Sequence, residues 1–207
     1  MKYTIIEDCS PYYIRFTHDK IEEFSKFALD LFNQTDWSHI TPLNPKFGHY
    51  ILPPNIGKTV VSRTPVSQSF DLWIGRVSYF KSWPGLYYKA HKDGPNHRFS
   101  INYPIKVLDN NCITNWYSDE DLKDYPIIGD NYRNISRECE GFDKTKHIPA
   151  KSMIAQINEC ILFNTDIFHS WDNTQSNNER IILTFRNDDV NGTFYYEDAR
   201  RKLFEES

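Results

Sequence analysis

Hydrophobic positions along this chain follow two different periods. From Asp19 to Gln34 the run DKIEEFSKFALDLFNQ places Ile21, Phe24, Phe27, Ala28, Leu31 and Phe32 at helical spacing with charges between them, which predicts an amphipathic helix packed on a sheet. From Leu72 the texture changes. LWIGRVSYF, LYYKAHKD, RFSINYPIKV, CITNWY, AQINECILFN, FHSWDN and RIILTFR are short runs of aromatic and β-branched residues separated by turn residues, the pattern of a β-sandwich or barrel. Residues 41–66, rich in Pro, Gly and Asn, read as loops and short edge strands. A polar insertion from about Ser118 to Lys146 interrupts the strands, and EDARRKLFEE near the C-terminus predicts a short closing helix. The expected organisation is one domain over 1–207, with a β core at about 72–187 and N-terminal helical support at about 1–71.

Composition narrows the class without changing this picture. Of 207 residues, 39% are hydrophobic, 15% aromatic and 25% charged, as in a folded globular chain rather than a disordered or fibrous one. The net charge of -4 argues against a protein that coats nucleic acid, which needs a basic excess. The sequence has no apolar run of about 18 residues, and MKYTIIEDCSPYY turns polar before a signal-peptide core could form. The cytoplasm is the expected compartment. Cys9, Cys112, Cys139 and Cys160 lie far apart and form no CxxC pair, so reduced, structural thiols are expected rather than a zinc knuckle or disulfide framework.

The candidate chemistry begins at His91-Lys92-Asp93, where GLYYKAH runs into a Gly94-Pro95 turn. Residues i and i+2 of a strand share a face, so an imidazole and a carboxylate can converge on one ion from a single strand end. A second histidine, His169, opens HSWDN after the buried-looking run CILFN. Two histidines and one carboxylate make a facial triad that leaves coordination positions open on non-haem iron(II). The bland alternative, a core or surface His169 and a turn Asp93, stays open at this stage. Downstream, alternation in RIILTFR puts Arg180, Ile182, Thr184 and Arg186 on one face and Ile181, Leu183 and Phe185 on the other. An arginine facing a barrel interior needs an anion, and a dicarboxylate offers a bidentate one. The competing arrangement faces the arginines to solvent and the apolar set to the core.

His91-x-Asp93, His169 and Arg180 together resemble the signature of the 2-oxoglutarate and iron(II)-dependent dioxygenase superfamily, over roughly Leu72 to Arg186. HKDGPNHRFSINYPI is similar in spacing to the aspartyl/asparaginyl β-hydroxylase group, with an arginine at the position of Arg98. HSWDN followed by ERIILTFR resembles the distal histidine and arginine segment of that group and of prolyl-hydroxylase-like members. This chain departs from the β-hydroxylases in carrying Ser100 for a second arginine and Asn102 for a histidine. The resemblance implies a mainly β fold, a double-stranded β-helix (jelly roll, cupin-like), and an iron(II) enzyme that uses O2 and the co-substrate 2-oxoglutarate. It implies that His91, Asp93 and His169 hold iron and that Arg180 pairs with the distal carboxylate of 2-oxoglutarate, with Arg186 as a fallback. Arg98, Ser100 and Asn102 share a face by alternation and are candidates for the wall near the oxalyl end. The implied reaction couples decarboxylation of 2-oxoglutarate to succinate with hydroxylation of a small-molecule, peptide or protein substrate.

Two other readings remain. One is a cupin-like metal protein that does not use 2-oxoglutarate. The other is an alkylated-base repair dioxygenase, whose RxNxTxR segment RIILTFR resembles with Ile182 in place of asparagine; the acidic chain weighs against it. The insertion, with Tyr125, Tyr132 and Phe142, is expected either to close over the barrel mouth or to be a solvated excursion.

Overall fold

A computed structural model describes residues 3–38, 46–66, 76–93, 97–128, 137–186 and 194–206. In chain order the elements are β1 (Thr4–Cys9), β2 (Tyr13–Thr17), α1 (Ile21–Gln34), β3 (Phe47–Ile51), α2 (Pro54–Ser62), β4 (Arg76–Ser82), β5 (Tyr87–Lys92) and β6 (Phe99–Lys106). There follow β7 (Ile113–Trp116), α3 (Asp119–Leu122), β8 (Ile127–Ile128), β9 (Arg137–Cys139), β10 (Lys151–Ile154), β11 (Cys160–Asn164), β12 (His169–Asp172), β13 (Arg180–Arg186) and α4 (Tyr196–Phe204). The strands form a seven-stranded sheet in the order β1-β2-β11-β6-β13-β4-β3 and a six-stranded sheet in the order β10-β7-β12-β5-β9-β8. All pairings are antiparallel, as in β13 against β4 and β6 and β12 against β5 and β7. The fold is a double-stranded β-helix, a jelly roll.

The large sheet is apolar on its outer face, where the helices cover it. Ile101 and Tyr103 of β6, Leu183 and Phe185 of β13 and Tyr79 of β4 are buried there. Helix α1 lays Phe24 against Tyr103 at 4.7 Å and Phe32 against Tyr79 at 5.1 Å between ring centroids. The Tyr79 hydroxyl donates to the Ala28 carbonyl at 2.9 Å, so the one polar atom of that ring is satisfied inside the interface. Helix α4 buries Ala199 and Leu203 and brings Phe204 to 5.2 Å from Phe16 of β2. Each large side chain buried in this way stabilises the fold by about 1.5–3 kcal/mol.

Two expectations need correction. The N-terminal region is not purely helical support: β1 and β2 extend the large sheet at one edge and β3 at the other. Residues 54–62 are helix α2 rather than loop. Pro54 sits in its first turn, where the missing N–H costs nothing. Gly57 and Val60 are buried on the side of the helix that packs against β4. The stretch at 72–75 and the Gly94-Pro95 turn lie outside the described residues.

Between the sheets the filling is uneven. Tyr13, Trp116, Ile161 and Phe163 pack one end, and Phe47, Phe80, Leu86 and Trp171 the other. Polar side chains occupy the space between, because β13 and β6 turn their second, polar faces inward. This settles the orientation of RIILTFR. Its apolar residues face the helix-covered core, and Arg180, Ile182, Thr184 and Arg186 face the other sheet.

Candidate metal centre

His91 and His169 are directly opposed in the β5–β12 ladder. Their rings lie 4.3 Å apart between centroids. Asp93 follows the end of β5, and its backbone N–H donates to the Thr165 carbonyl at 3.1 Å, tying it to the segment between β11 and β12. All three side chains are buried, and a ligand atom from each lies within 4.8 Å of the others.

The imidazoles are oriented as metal ligands require. His91 Nδ1 lies 3.0 Å from the Lys89 carbonyl and His169 Nδ1 2.9 Å from the Ile167 carbonyl. A carbonyl only accepts, so each Nδ1 carries a proton, which leaves each Nε2 as the nitrogen a metal would take. Burial, and then the neighbouring His91, push the His169 pKa down to about 3, which keeps its Nε2 lone pair available. For Asp93, burial alone would raise the pKa, but Arg186 at 3.1 Å, then His169, His91 and His97, bring it below the usual carboxylate value. Two imidazoles and one carboxylate thus converge at a buried point, a donor set that fits a divalent transition metal and covers only one side of it.

The triad opens into a narrow cavity of about 30 Å³ that is partly open to solvent. Phe80, Met153, Phe163 and Trp171 form its apolar walls, and Ser100, Asn102 and Thr184 its polar floor. Arg180 lines the same cavity and is 7% exposed. Among the described residues its guanidinium reaches only Thr114 Oγ1, at 3.4 and 3.5 Å, and its Nε has no hydrogen-bond partner. Among the described residues no carboxylate pairs with it. Burial lowers its pKa, yet a guanidinium stays protonated at any ordinary pH.

The structure brings His91, Asp93, His169, Arg180, Ser100 and Asn102 to one cavity. It does not bring Arg98 there, which corrects the expectation for that residue. Arg98 precedes β6, pairs with Asp166 at 2.9 Å and lies over the Tyr195 ring at 4.5 Å, so local partners hold its guanidinium away from the cavity. Arg186 lines the cavity but is engaged with Asp93. For the insertion, whose residues 129–136 lie outside the described ones, the described part does not stand over the cavity. Its β9 pairs with β5, and Tyr125 and Phe142 pack with Tyr117, Leu122, Cys139 and Phe168 around Ala90. Ala90 alternates with His91, so this cluster lies on the outer face of the small sheet, away from the cavity. Tyr132 lies outside the described residues. The sequence reading did not anticipate Phe80, Met153, Phe163, Trp171 or Thr165 as neighbours of the site.

Comparison with known proteins agrees with the architecture. No family model matches the sequence, and no curated protein does. Among solved structures, similar folds include the epimerase SnoN, solved with Fe3+, alpha ketoglutarate and nogalamycin RO. It has a TM-score of 0.55 and 10% identity, over 84% of this chain and 77% of that one. HygX from Streptomyces hygroscopicus, solved with nickel and 2-oxoglutarate, gives a TM-score of 0.54 at 7% identity, over 84% of this chain and 81% of that one. Vicilin from Corylus avellana matches at a TM-score of 0.40 and 12% identity over 74% of this chain, which spans 33% of it. At these identities the likeness to SnoN and HygX shows the fold alone. No helix among the described residues is long and apolar enough to cross a membrane.

Proposed function

We propose that this protein is a non-haem iron(II) oxygenase that couples oxidative decarboxylation of 2-oxoglutarate to hydroxylation of a second substrate. The observation that carries the reading is Arg180, a buried guanidinium on the wall of the cavity into which the triad opens, with no counter-ion among the described residues. A buried unpaired cation costs several kcal/mol, and a ligand carboxylate offsets that cost with two parallel hydrogen bonds. His91, Asp93 and His169 would hold the iron. Iron, 2-oxoglutarate and O2 together supply the oxidising chemistry. The neighbours SnoN and HygX, solved with alpha ketoglutarate or 2-oxoglutarate and a metal, support the assignment at the level of a shared scaffold.

The chain's own residues have separable tasks. The backbone carbonyls of Lys89 and Ile167 fix the two imidazoles in one tautomer, and Arg186 holds Asp93 ionised and oriented. Arg180 anchors the far end of the co-substrate, and Asn102, whose Oδ1 has no partner among the described residues, stands beside Thr184 on the floor under it. Phe80, Phe163 and Trp171 exclude water from the reacting centre. The substrate is a small molecule, peptide or protein rather than nucleic acid. A cupin-like protein that ignores 2-oxoglutarate would leave Arg180 buried without a task. The test is stoichiometric: iron(II)-dependent conversion of 2-oxoglutarate to succinate by the wild type, abolished in Arg180→Ala with metal binding retained. A wild type that binds iron but neither binds nor turns over 2-oxoglutarate refutes the proposal.

A further inference from the structure

Residues 165–168 carry the chain from β11 of the large sheet to β12 of the small one. Thr165, the first of them, is 2% exposed and lines the cavity. It bonds towards both sheets. Its N–H donates to the Arg98 carbonyl at 3.3 Å, one step past the Asn164–Phe99 pair at the end of the β11–β6 ladder. Its carbonyl accepts the Asp93 N–H at 3.1 Å, and its hydroxyl donates to the His97 carbonyl.

Those partners flank the metal ligand that most needs support. Asp93 lies beyond the last ladder pairs of β5, which are His91 with His169 and Lys92 with Arg137. Strand alternation sets the direction of a side chain only while the strand continues, so the bond to Thr165 is what fixes the Asp93 backbone. His97 and Arg98 lead into β6, and residues 94–96 between them and Asp93 lie outside the described ones. Thr165 therefore fastens the chain on both sides of that turn.

The same crossing orients a second ligand. Ile167, two residues further on, presents the carbonyl that takes His169 Nδ1 at 2.9 Å. The neighbours of Thr165 are pinned as well. Asn164 donates from its backbone N–H to the Tyr12 carbonyl at 3.0 Å and from Nδ2 to the Pro11 carbonyl at 2.8 Å. Asp166 receives the Arg98 guanidinium at 2.9 Å. A connection held at this many points keeps its carbonyls in fixed directions before a metal arrives.

We propose that Thr165 is a positioning residue of the metal centre: its hydroxyl, anchored on the His97 carbonyl, locks the crossing so that its own carbonyl sets Asp93 and that of Ile167 sets His169. Two of the three ligands then share one mount. The inference rests on the assignment of the triad to a metal in the functional reading above, and not on the identity of the co-substrate. A hydroxyl suits the task because a backbone carbonyl can only accept, and a buried acceptor that loses its donor is costly to leave unpaired.

The test uses the full-length protein loaded with cobalt(II), whose visible absorption reports the geometry of its ligands, together with chelator competition for affinity. Thr165→Val keeps the branched shape and removes the donor, whereas Thr165→Ser keeps the donor and removes the methyl group. The valine variant should bind cobalt about tenfold more weakly, the lower end of what outer hydrogen-bond partners of metal ligands contribute, and show an altered visible spectrum. The serine variant should restore both affinity and spectrum, whereas a role in packing alone would make it fall with valine. Amide exchange in the metal-free wild type needs no variant, and decides the matter with the serine variant if the valine variant does not fold. The Asp93 N–H should be protected although it lies past the last ladder pair, because Thr165 already holds it. Wild-type affinity and spectrum in Thr165→Val, a loss in Thr165→Ser equal to that in valine, or an Asp93 amide that exchanges as in an open loop overturns the proposal. Wild-type protein that binds no cobalt removes the metal assignment instead.

Discussion

Replacing Arg180 with methionine separates two effects that a simple loss of activity would merge. In the ligand-free protein the guanidinium is 7% exposed, has no carboxylate partner among the described residues, and makes only contacts of 3.4 and 3.5 Å to Thr114. Hydrogen bonds of that length return little of the cost of taking the charge out of water. An apolar side chain of similar length should leave the ligand-free fold as stable as the wild type, or more stable by about 1–4 kcal/mol. For a chain of this size that is about 2–4 °C in Tm for each kcal/mol. The same substitution removes the anchor for 2-oxoglutarate. In the wild type, ligand at about 100 times its Kd adds about 2.7 kcal/mol to stability, and the variant should lose most of that increment. Differential scanning calorimetry with and without 2-oxoglutarate, on zinc-loaded protein, measures both quantities. A variant that melts several degrees below the wild type and keeps its 2-oxoglutarate increment would show that Arg180 is a structural residue, and the reasoning would fail.

Other outcomes follow from the same geometry. His169→Gln should weaken metal binding by more than the roughly 10- to 100-fold that even outer hydrogen-bond partners of metal ligands contribute; unchanged zinc affinity by competition with a chelator would exclude His169 as a ligand. In the metal-free protein the folded-state pKa values of His169, about 3, and His49, about 4, lie below the ordinary value of 6.5. As pH falls the unfolded chain is therefore protonated first. Stability is complete above about pH 6.5 and declines on acidification towards pH 4 and 3, by about 1.4 kcal/mol per pH unit for each histidine. Urea midpoints across that window check it, and a flat profile would contradict the burial of these rings as neutral imidazoles. Phe142→Ala should destabilise the fold by about 2–3 kcal/mol, less than a fully buried phenylalanine. Succinate production below the melting transition should be unchanged, whereas lost coupling at full stability would return the insertion to the role of a lid.

The strand pattern carried most of the fold, because alternation in RIILTFR and RFSINYPIKV has physical content on both faces. Its limit was the assumption that one face must be core and the other solvent. In a jelly roll backed by helices, both faces of β13 are buried, one among Phe24 and Tyr103 and the other in a polar cavity. The triad was legible from spacing because His91 and Asp93 leave one strand end together, although the opposition of His91 and His169 depends on a ladder register that only the folded chain shows. Arg98 was misplaced for a related reason. It stands just before β6, where alternation no longer governs direction, and Asp166 and Tyr195 turn it aside. Helix α2 was hidden by its own prolines, which mark loops in composition but start helices in the first turn. Thr165 carried no signal at all, since a threonine in a connection acquires meaning only from the strand ends it bonds.

The most direct test of the central claim is a crystal structure of the protein grown anaerobically with iron(II) and 2-oxoglutarate. The account predicts a single ion about 2.0–2.3 Å from His91 Nε2, His169 Nε2 and an Asp93 carboxylate oxygen, with the distal carboxylate of 2-oxoglutarate bidentate on Arg180. An ion held elsewhere, or a co-substrate whose distal carboxylate avoids Arg180, would contradict it.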